Sequence, residues 1–260
     1  MLKIVVTGYN SSTFLKKCLD SIKMQKYTDY QCVVINDAST EKEYAICAKE
    51  YPFEYIENSE NLGPLGSRIV GIDFLKCQDD DIIFLIDGDD WLLHDNVFQF
   101  IVDTYNNEDV LLTWGNWFAI DTSGNQRSRE KGLDSVFMPR MKYVDDNRKH
   151  LLETNTYREA PFSFSHPRTF KYILWRNINP DDFLNKDGNV FRHGTDFAFM
   201  YPMIEMCGDR FKIIYERLYA YNLHDNNEMQ KSQNDMSQNR QCCRYIIQKK
   251  KYKPLIISKP

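Results

Sequence analysis

Strands and helices alternate along the first 90 residues, and this alternation constrains the fold more than any other feature. Short runs rich in β-branched and aromatic residues predict four strands, namely KIVVTG, QCVVIND, FEYIEN and DIIFLID. Between them, STFLKKCLDSI places apolar residues on one helical face, and NLGPLGSRIVGIDFLKC predicts a glycine-bearing loop and a helix with Pro64 near its first turn. The order β-α-β-α-β predicts an α/β fold with a mostly parallel sheet and helices on both faces.

The second half of the chain has a weaker pattern. VLLTWGNWFAID predicts two strands followed by a turn at TSGN, and FKIIY and RLYAYN predict two closing strands. TDFAFMYPMIEMCG has apolar residues at helical spacing, although Pro202 should kink or shorten that helix. Thr40 and Glu43 have the spacing of a capping box, which predicts a helix start after the second strand. Residues 226–260 are expected to form a polar, basic tail.

Composition excludes several classes of protein. The formal net charge of −4 argues against a global basic field for nucleic acid. Apolar runs stay far below the roughly 20 residues that cross a bilayer, so we expect no membrane span, while peripheral membrane contact stays open. The chain begins MLKIVVTGYN, directly in a strand pattern, which predicts cytoplasmic synthesis. The seven cysteines are scattered and lack a CxxC pair, which argues against a disulfide framework or a zinc site.

Three carboxylates stand in four positions at the end of the fourth predicted strand. IIFLI runs directly into Asp-Gly-Asp-Asp at residues 87–90. Carboxylates this close resist ionising together unless a cation or hydrogen-bond donors share the site. Oxygen ligands suit Mg²⁺ or Mn²⁺. A calcium EF-hand would need Gly and Glu where Leu92 and Phe98 stand, so we prefer a divalent metal site of another kind over a solvated turn.

Polar clusters follow all four predicted strands. They lie at residues 7–10, at Asn36 and Asp37, at residues 61–68 and at residues 87–90. Ligands of such sheets bind beyond the carboxyl ends of the strands, where the loops of neighbouring strands meet. We therefore expect one ligand site at this edge.

Five segments together carry a resemblance to a known family. VVTGYNSSTFLKKCLDSI, VVINDAST, ENLGPLGSRIVGI, FLIDGDD and GTDFAFMYPMIEMCG occur in the order and spacing of family 2 glycosyltransferases, over roughly residues 1–222. The resemblance implies a GT-A fold: a Rossmann-like, mostly parallel central sheet flanked by helices, with a smaller mixed acceptor-side region. It implies a nucleotide-sugar-binding half over residues 1–115 and an acceptor-binding half over 116–225, ahead of the tail. It also implies metal-dependent transfer of a sugar, with inversion, from a nucleotide-sugar donor to an acceptor hydroxyl.

The resemblance assigns the donor to the edge of the sheet. Asp37 is expected to accept a hydrogen bond from the base, which favours uracil and hence a UDP-sugar; its alternative role is a helix N-cap. Tyr9 is expected to border the base, and Arg68 to hold the nucleotide or the phosphates, unless they are a packing aromatic and a surface salt bridge. The expected donor-binding residues are Thr7, Tyr9, Asp37, Asn61, Arg68, Asp87 and Gly88.

Metal ligand and general base must be different groups, because a carboxylate bound to a cation accepts a proton poorly. The resemblance implies that Asp89 ligates Mn²⁺ or Mg²⁺ and that His224 completes the metal shell, although a lone histidine is often a packing residue. Asp196 is the expected catalytic base, with a helix cap as its alternative. Thr195 stands where many relatives carry Glu before this Asp.

Other polar residues have weaker assignments. His166 and Arg168 are expected to shape the acceptor side, unless the segment around Pro167 is an ordinary helix start. Glu205 and Asp182 are the next carboxylates to consider if Asp196 is not the base.

Two other functions remain as alternatives. One is a sugar nucleotidyltransferase, which should have a glycine-, arginine- or lysine-rich loop after the first strand; TGYNSS does not have that composition. The other is a catalytically inactive sugar-nucleotide-binding protein, because a fold does not establish activity. The expected partners are a nucleotide-sugar donor and a glycan or glycoconjugate acceptor, with no nucleic acid.

Overall fold

A computed structural model describes residues 1–121, 134–224 and 233–256. The turn predicted at TSGN lies outside these residues. The strands of the described chain are β1 (Leu2–Gly8), β2 (Tyr30–Asn36), β3 (Glu54–Glu57), β4 (Ile82–Asp87), β5 (Trp91–Leu92), β6 (Leu112–Asp121), β7 (Arg168–Lys171) and β8 (Phe211–Leu223). They form a single sheet in the order β3-β2-β1-β4-β7-β6-β8-β5.

Helices cover both faces of this sheet. They are α1 (Ser12–Lys23), α2 (Lys42–Lys49), α3 (Gly63–Phe74), α4 (Val97–Asn107), α5 (Asp134–Asp146), α6 (Arg148–Thr154), α7 (Tyr172–Arg176), α8 (Thr195–Cys207) and α9 (Gln233–Gln248), with a 3-10 helix at Pro180–Phe183. Side chains alternate along β1, so Val5 enters one core with α3 and α8, while Ile4 and Val6 enter the other with α1 and α4.

The first half of the fold confirms the prediction from the sequence. β1 pairs in parallel with β2 and β4, and β2 pairs in parallel with β3. The second half is mixed, because β7 is antiparallel to β4 and β6, β5 is antiparallel to β8, and β6 is parallel to β8. The α/β class, the mostly parallel central sheet and the mixed region beside it are thus confirmed. The division at residues 115 and 225 stays a prediction.

Two pairs of predicted strands are each one continuous strand. β6 runs through Gly115 and Asn116, and β8 runs through Tyr215 and Glu216. The register between β6 and β8 shifts here, since Gly115 pairs with Ile214 and Asn116 with Arg217. Two extra residues on β8 therefore bulge outward and are exposed. The predicted strand FKIIY already included Tyr215, so the predicted break in β8 fell at the charged, exposed Glu216, and the prediction of two strands there was wrong. The prediction of two strands in VLLTWGNWFAID was wrong at Gly115 and Asn116, where β6 continues through a shift in register.

The capping box predicted at Thr40 was also wrong. α2 begins at Lys42 with Glu41 as its N-cap, and among the described residues no side chain caps it. The Thr40 amide and hydroxyl donate instead to the Asn10 Oδ1, at 2.8 and 3.2 Å. The Glu41 carboxylate accepts from the Ser12 amide at 3.1 Å. The side chains of Thr40 and Glu41 thus join the loop after β2 to the start of α1.

Pro202 does not shorten its helix. α8 extends from Thr195 to Cys207 with Pro202 inside it, and every residue from 198 to 207 is buried. Burial of this many apolar side chains outweighs the cost of about 3 kcal/mol for a proline in a helix interior.

The described part of the predicted polar tail packs against the domain. Arg158 and Glu205 form a buried ion pair, in which the Arg158 Nε and Nη2 donate to the two Glu205 oxygens at 2.6 and 2.8 Å. Arg158 also donates to the backbone carbonyls of Ile246 and Lys249, at 2.9 and 3.0 Å. Glu205 Oε2 accepts from the Tyr252 amide at 2.8 Å. Both ends of the ion pair therefore bind the C-terminal segment.

Within the described residues, no helix is both long enough and apolar enough to cross a membrane.

α3 lies unusually close to the sheet at Gly71. A Cβ atom at this position would lie 2.5 Å from the Val5 Cγ1 and 3.2 Å from the Ile35 Cγ1. The glycine thus sets the distance between α3 and the strands β1 and β2. Since α3 carries Arg68, this contact also fixes the depth of a site residue.

We expect Gly71→Ala to lower the free energy of unfolding by about 1–3 kcal/mol, because the methyl group overpacks the contact with Val5. Helix propensity alone predicts the opposite sign, since alanine is favoured over glycine by about 1 kcal/mol. The free energy of unfolding measured by urea denaturation shows which of the two effects is larger. Val5→Ala removes the 2.5 Å contact and leaves the 3.2 Å contact with the Ile35 Cγ1, so Gly71→Ala should cost less stability in that background than in the wild type. Stabilisation by Gly71→Ala in the wild-type background would contradict this packing.

Candidate active site

The Asp-Gly-Asp-Asp turn begins where β4 ends beside β1. The Gly88 amide donates to the Thr7 carbonyl at 2.8 Å, and the Asp90 amide donates back to the Asp87 carbonyl at 3.0 Å. A Cβ at Gly88 would lie 3.2 Å from both the Thr7 carbonyl oxygen and the Tyr44 hydroxyl. Thr7 and Gly88 therefore form a tight backbone contact that joins the acidic turn to the end of β1.

Arg68 joins this turn to the predicted catalytic base. Its guanidinium group, on α3, is 4% exposed and donates to the Asp87 Oδ1 at 2.8 Å and to the Asp196 Oδ1 at 3.1 Å. Burial lowers the pKa of Arg68, but the carboxylates of Asp87 and Asp196 raise it by more, and the group stays charged. A single buried cation thus connects residues of β4 and α8.

A second arginine also binds Asp196. The Arg168 Nη1 and Nη2 donate to the two Asp196 oxygens at 3.1 and 2.7 Å, in a bidentate pair. Arg168 is 4% exposed, whereas the Asp196 side chain is 29% exposed. Asp196 therefore has its orientation fixed by two buried guanidinium groups and still reaches solvent.

Asp196 binds these guanidinium groups rather than capping its own helix. The N-cap of α8 is Gly194, and no side chain of the described residues caps this end. The other two candidate bases are engaged with the C-terminal segment. Glu205 is paired with Arg158, and the Asp182 Oδ2 accepts from the Tyr252 hydroxyl at 2.5 Å. Asp196 has the most accessible side chain of the three, at 29% exposed against 17% for Asp182 and 0% for Glu205, and its catalytic role stays a prediction.

The two predicted metal ligands lie together. The Asp89 Oδ2 is 2.8 Å from the His224 Nε2, although the residues are 135 positions apart. Asp90, which is 1% exposed, accepts the Asn222 amide at 2.9 Å and so fixes the end of β8 beside the turn. The Phe14 ring packs on the imidazole of His224 with centroids 4.7 Å apart. Asp90 and Phe14 therefore position His224 next to Asp89, a role that the sequence pattern did not reveal.

A second group of possible metal ligands lies beside the first. It consists of Asp87, Asp90 and His166, each of which offers one ligand atom, and these three atoms lie within 4.8 Å of one another. Burial, and then Arg168, holds the pKa of His166 well below 6.5, so its imidazole is neutral at pH 7. Burial, and then the charge of Asp89, raises the pKa of Asp90. From the sequence we expected His166 on the acceptor side and assigned no role to Asp90. The position of Asp90 as the third carboxylate of the acidic turn was the one sign in the sequence that it belongs to the site.

Asp37 binds the start of α3. Its carboxylate accepts from the amides of Leu62 and Gly63 at 2.8 and 2.9 Å and from the Asn58 Nδ2 at 2.9 Å. An anion at this position complements the unpaired amides of a helix N-terminus. Asp37 is thus a cap for α3, from a distant strand, and not for the helix α2 that follows it in sequence. A contact with the base stays a prediction.

Asn61 and Tyr9 complete the expected donor-binding set. The Asn61 Nδ2 donates to the Asp37 carbonyl at 3.3 Å, and its Oδ1 accepts from the Arg192 Nη1 at 2.7 Å. Arg192 thus connects the loop after β3 to the segment before α8. Tyr9 is 48% exposed at the end of β1, where its ring is accessible to a ligand.

One cavity lies elsewhere in the described part of the chain. Its volume is about 960 Å³, and residues at the amino ends of three strands, among them Lys3, Tyr30 and Glu54, line it. The predicted site residues are at the carboxyl ends of those strands. In such sheets ligands bind at the carboxyl edge, so the converging charged groups identify the site better than this cavity does.

Comparisons with known proteins show the family to which the chain belongs. The model of the family described as "Glycosyl transferase family 2" matches residues 3–171. The glycosyltransferase GlyA of Streptococcus pneumoniae is 34% identical over 232 residues, which are 85% of this chain and 30% of GlyA. The teichoic acid poly(glycerol phosphate) polymerase of Staphylococcus epidermidis is 28% identical over 140 residues, which are 52% of this chain and 18% of that protein. The chain thus spans less than a third of the length of either relative.

Solved structures give the same answer for the fold. The S. aureus TarS fragment 1–349 in complex with UDP matches with a TM-score of 0.58 at 14% identity, over 94% of this chain and 64% of that one. Its complex with UDP-GlcNAc has the same score and identity, over 93% and 65%. At this identity the likeness establishes the GT-A fold alone. Because the family model covers more than half of the sequence, the chain belongs to glycosyl transferase family 2.

Proposed function

We propose that this chain transfers a sugar from a UDP-sugar to a hydroxyl of a glycan or glycoconjugate, with inversion at the anomeric carbon and with a bound Mn²⁺ or Mg²⁺. The observation that carries the proposal is the link through Arg68, which joins Asp87 of the acidic turn to Asp196 on α8. A donor-binding turn and a base must lie this close for transfer, because the nucleophile attacks the carbon that bears the diphosphate.

UDP is the proposed nucleotide on two grounds. Asp37 and Asn61 lie in neighbouring loops at the carboxyl edge of the sheet, beside the exposed ring of Tyr9, and this arrangement suits a planar base and a ribose. TarS, which shares the fold, was solved with UDP and with UDP-GlcNAc. In this proposal Thr7 and Gly88 approach the nucleotide, and Arg68 and Asp87 lie next to the phosphates and the ribose.

The residues at the acidic turn fit a divalent cation. Two neighbouring ligands in an octahedral shell with bonds of about 2.1 Å lie about 3 Å apart, and the Asp89 and His224 atoms are separated by 2.8 Å. We assign the metal to Asp89 and His224 rather than to the group that contains Asp90, because Asp90 is 1% exposed and already bound to β8. When bound, the cation would neutralise charge on the two phosphates.

Asp196 performs the proton transfer in this proposal. As the acceptor oxygen forms its bond to the anomeric carbon, the bond from that carbon to the diphosphate oxygen breaks, and the hydroxyl proton passes to an Asp196 oxygen. Arg168 binds both oxygens of Asp196 and so fixes the plane of the carboxylate. Attack from the face opposite the leaving group gives inversion.

Two alternatives make different products. A nucleotidyltransferase would release pyrophosphate from a nucleoside triphosphate and a sugar phosphate, and an inactive binding protein would release nothing. The proposed reaction releases UDP in the presence of an acceptor. Membership of family 2 favours the transferase, and the identity of the released nucleotide distinguishes the three functions.

Donor identity can be tested by thermal unfolding with UDP-, GDP- and dTDP-sugars, each with Mn²⁺. A ligand that binds only the native state stabilises it by about 2.7 kcal/mol at a concentration of 100 times its Kd. We expect UDP-sugars to raise the Tm by several degrees and the other two sets to have little effect. A response to GDP-sugars without a response to UDP-sugars would overturn the uracil assignment.

The division of labour between the two carboxylate sites can be tested by a pair of variants. Asp196→Asn keeps the size of the side chain but cannot take a proton, so kcat should fall by about 10²–10⁴-fold with donor affinity unchanged. Asp89→Ala should instead abolish the Mn²⁺-dependent Tm increase by UDP. Its Tm without metal should stay level or rise, because removing one of three neighbouring carboxylates relieves the repulsion between them.

Steady-state rates of UDP release give kcat, calorimetric titration with UDP gives the donor affinity, and thermal unfolding with and without Mn²⁺ gives the Tm. Near wild-type turnover by Asp196→Asn would remove Asp196 from the chemistry. Unfolding of Asp89→Ala would show that the acidic turn is structural.

A further inference from the structure

The C-terminal helix α9 lies against the turn from which α8 begins. Gly194 is the N-cap of α8 and has a left-handed backbone conformation, with a φ of 65°. A Cβ at Gly194 would lie 2.9 Å from the Cys243 Sγ, 3.4 Å from the Cys243 amide nitrogen and 3.5 Å from the Ile246 Cδ1. The turn and α9 are therefore in direct contact, two residues before Asp196.

α9 is anchored independently of this contact. Arg158 donates to the carbonyls of Ile246, Lys249 and Lys250 at 2.9, 3.0 and 3.3 Å, at the end of the helix where backbone carbonyls lack helical partners. A cation here also interacts favourably with the helix dipole. Since Arg158 is itself paired with buried Glu205 of α8, the far end of α9 is fixed to the helix that carries Asp196.

The start of α8 depends on packing for its position. In the described part of the chain no side chain caps this end of the helix, and its N-cap is a glycine in the left-handed region. The Asp196 carboxylate is held by Arg68 and Arg168. In the same turn the Phe197 ring stacks on Phe162, with centroids 4.0 Å apart. The backbone of Gly194, two residues before Asp196, lies against α9. The carboxylate and the turn that carries it are therefore held by different contacts.

Cys243 acts in this contact as a neutral packing group. Burial, then Cys242 and the Asp196 carboxylate, raise the pKa of the Cys243 thiol to about 11. Its Sγ lies 3.3 Å from the Asn239 Oδ1, one turn earlier in α9. Ile246 beside it is 2% exposed. The surface that faces Gly194 is therefore uncharged and closely packed.

The geometry points to α9 as a positioning element of the transfer reaction. By packing on Gly194, Cys243 and Ile246 hold the first turn of α8 where the Asp196 carboxylate meets the acceptor hydroxyl. This inference rests on the proposed role of Asp196 and adds to it that the C-terminal segment contributes to turnover without touching donor, metal or acceptor. A displacement of about 1 Å at a reacting group can cost about 10²-fold in rate.

The test enlarges the contact with Cys243→Phe and compares it with Gln241→Phe, which adds the same ring to the exposed side of α9. Rates of UDP release are measured with the UDP-sugar that the wild type turns over fastest, with Mn²⁺, and UDP affinity is measured by titration. We expect Cys243→Phe to lower kcat at least tenfold with the Kd for UDP unchanged, and Gln241→Phe to match the wild type. Cys243→Leu is the smaller change to use if the phenylalanine variant fails to fold.

A double variant separates positioning from general damage. If α9 acts through Asp196, Cys243→Phe should have no further effect on the rate in an Asp196→Asn background. A wild-type kcat for folded Cys243→Phe or Cys243→Leu, while Asp196→Asn is impaired, would overturn the inference alone. An equal loss of rate in both backgrounds would also overturn it. Wild-type turnover by Asp196→Asn would instead overturn the proposed function.

Discussion

One buried guanidinium group determines how the rest of the site is assembled. Arg68 of α3 is 4% exposed and binds Asp87 of β4 and Asp196 of α8, so three elements meet on a single cation. Removing the partners of a buried charge costs about 3–5 kcal/mol, and the elements must therefore come together for Arg68 to be tolerated at this depth. Arg168 extends the network, in which cations and carboxylates alternate. Each carboxylate of this network, on Asp87 and Asp196, is paired with at least one of the two arginines.

The backbone around α3 is arranged to deliver Arg68 to this position. Gly71 allows the helix to approach β1 and β2 closely, since any side chain there would overlap with Val5. At the other end, the Asp37 carboxylate binds the Leu62 and Gly63 amides where α3 starts. The helix is thus fixed at its N-terminus by a hydrogen-bonded anion and near its C-terminus by close packing. Its one buried arginine lies between these two points.

Features encoded by short-range signals could be predicted from the sequence. The parallel strands β1 to β4 have runs of β-branched residues, and the acidic turn follows the last of them directly. The continuity of β8 could not be predicted, because the exposed, charged Glu216 in the bulge resembles a loop residue. Long-range pairings had no local signal either. Nothing near Asp196 in sequence identifies Arg168 as its partner, and nothing near Asp37 identifies the amides at the start of α3 that its carboxylate binds.

The same limit applies to the pairs that define the site. Asp89 and His224 are 135 residues apart, and only the family resemblance associated them before the structure brought their side chains to 2.8 Å. The C-terminal segment shows the limit most clearly. Its polar composition predicted a tail, yet Arg158 and Glu205, both distant in sequence, bind its backbone and seat it on α8.

The measurement that tests the central claim most directly is the kinetics and UDP affinity of Arg68→Lys with Mn²⁺. Lysine keeps the positive charge but cannot bind two carboxylates with a planar fork. Loss of one hydrogen bond between charged groups costs about 1.5–3 kcal/mol, or roughly 10- to 100-fold. If Arg68 couples the donor turn to the base, both UDP affinity and kcat should fall by about this factor in the folded variant. Wild-type values of either quantity would contradict the account.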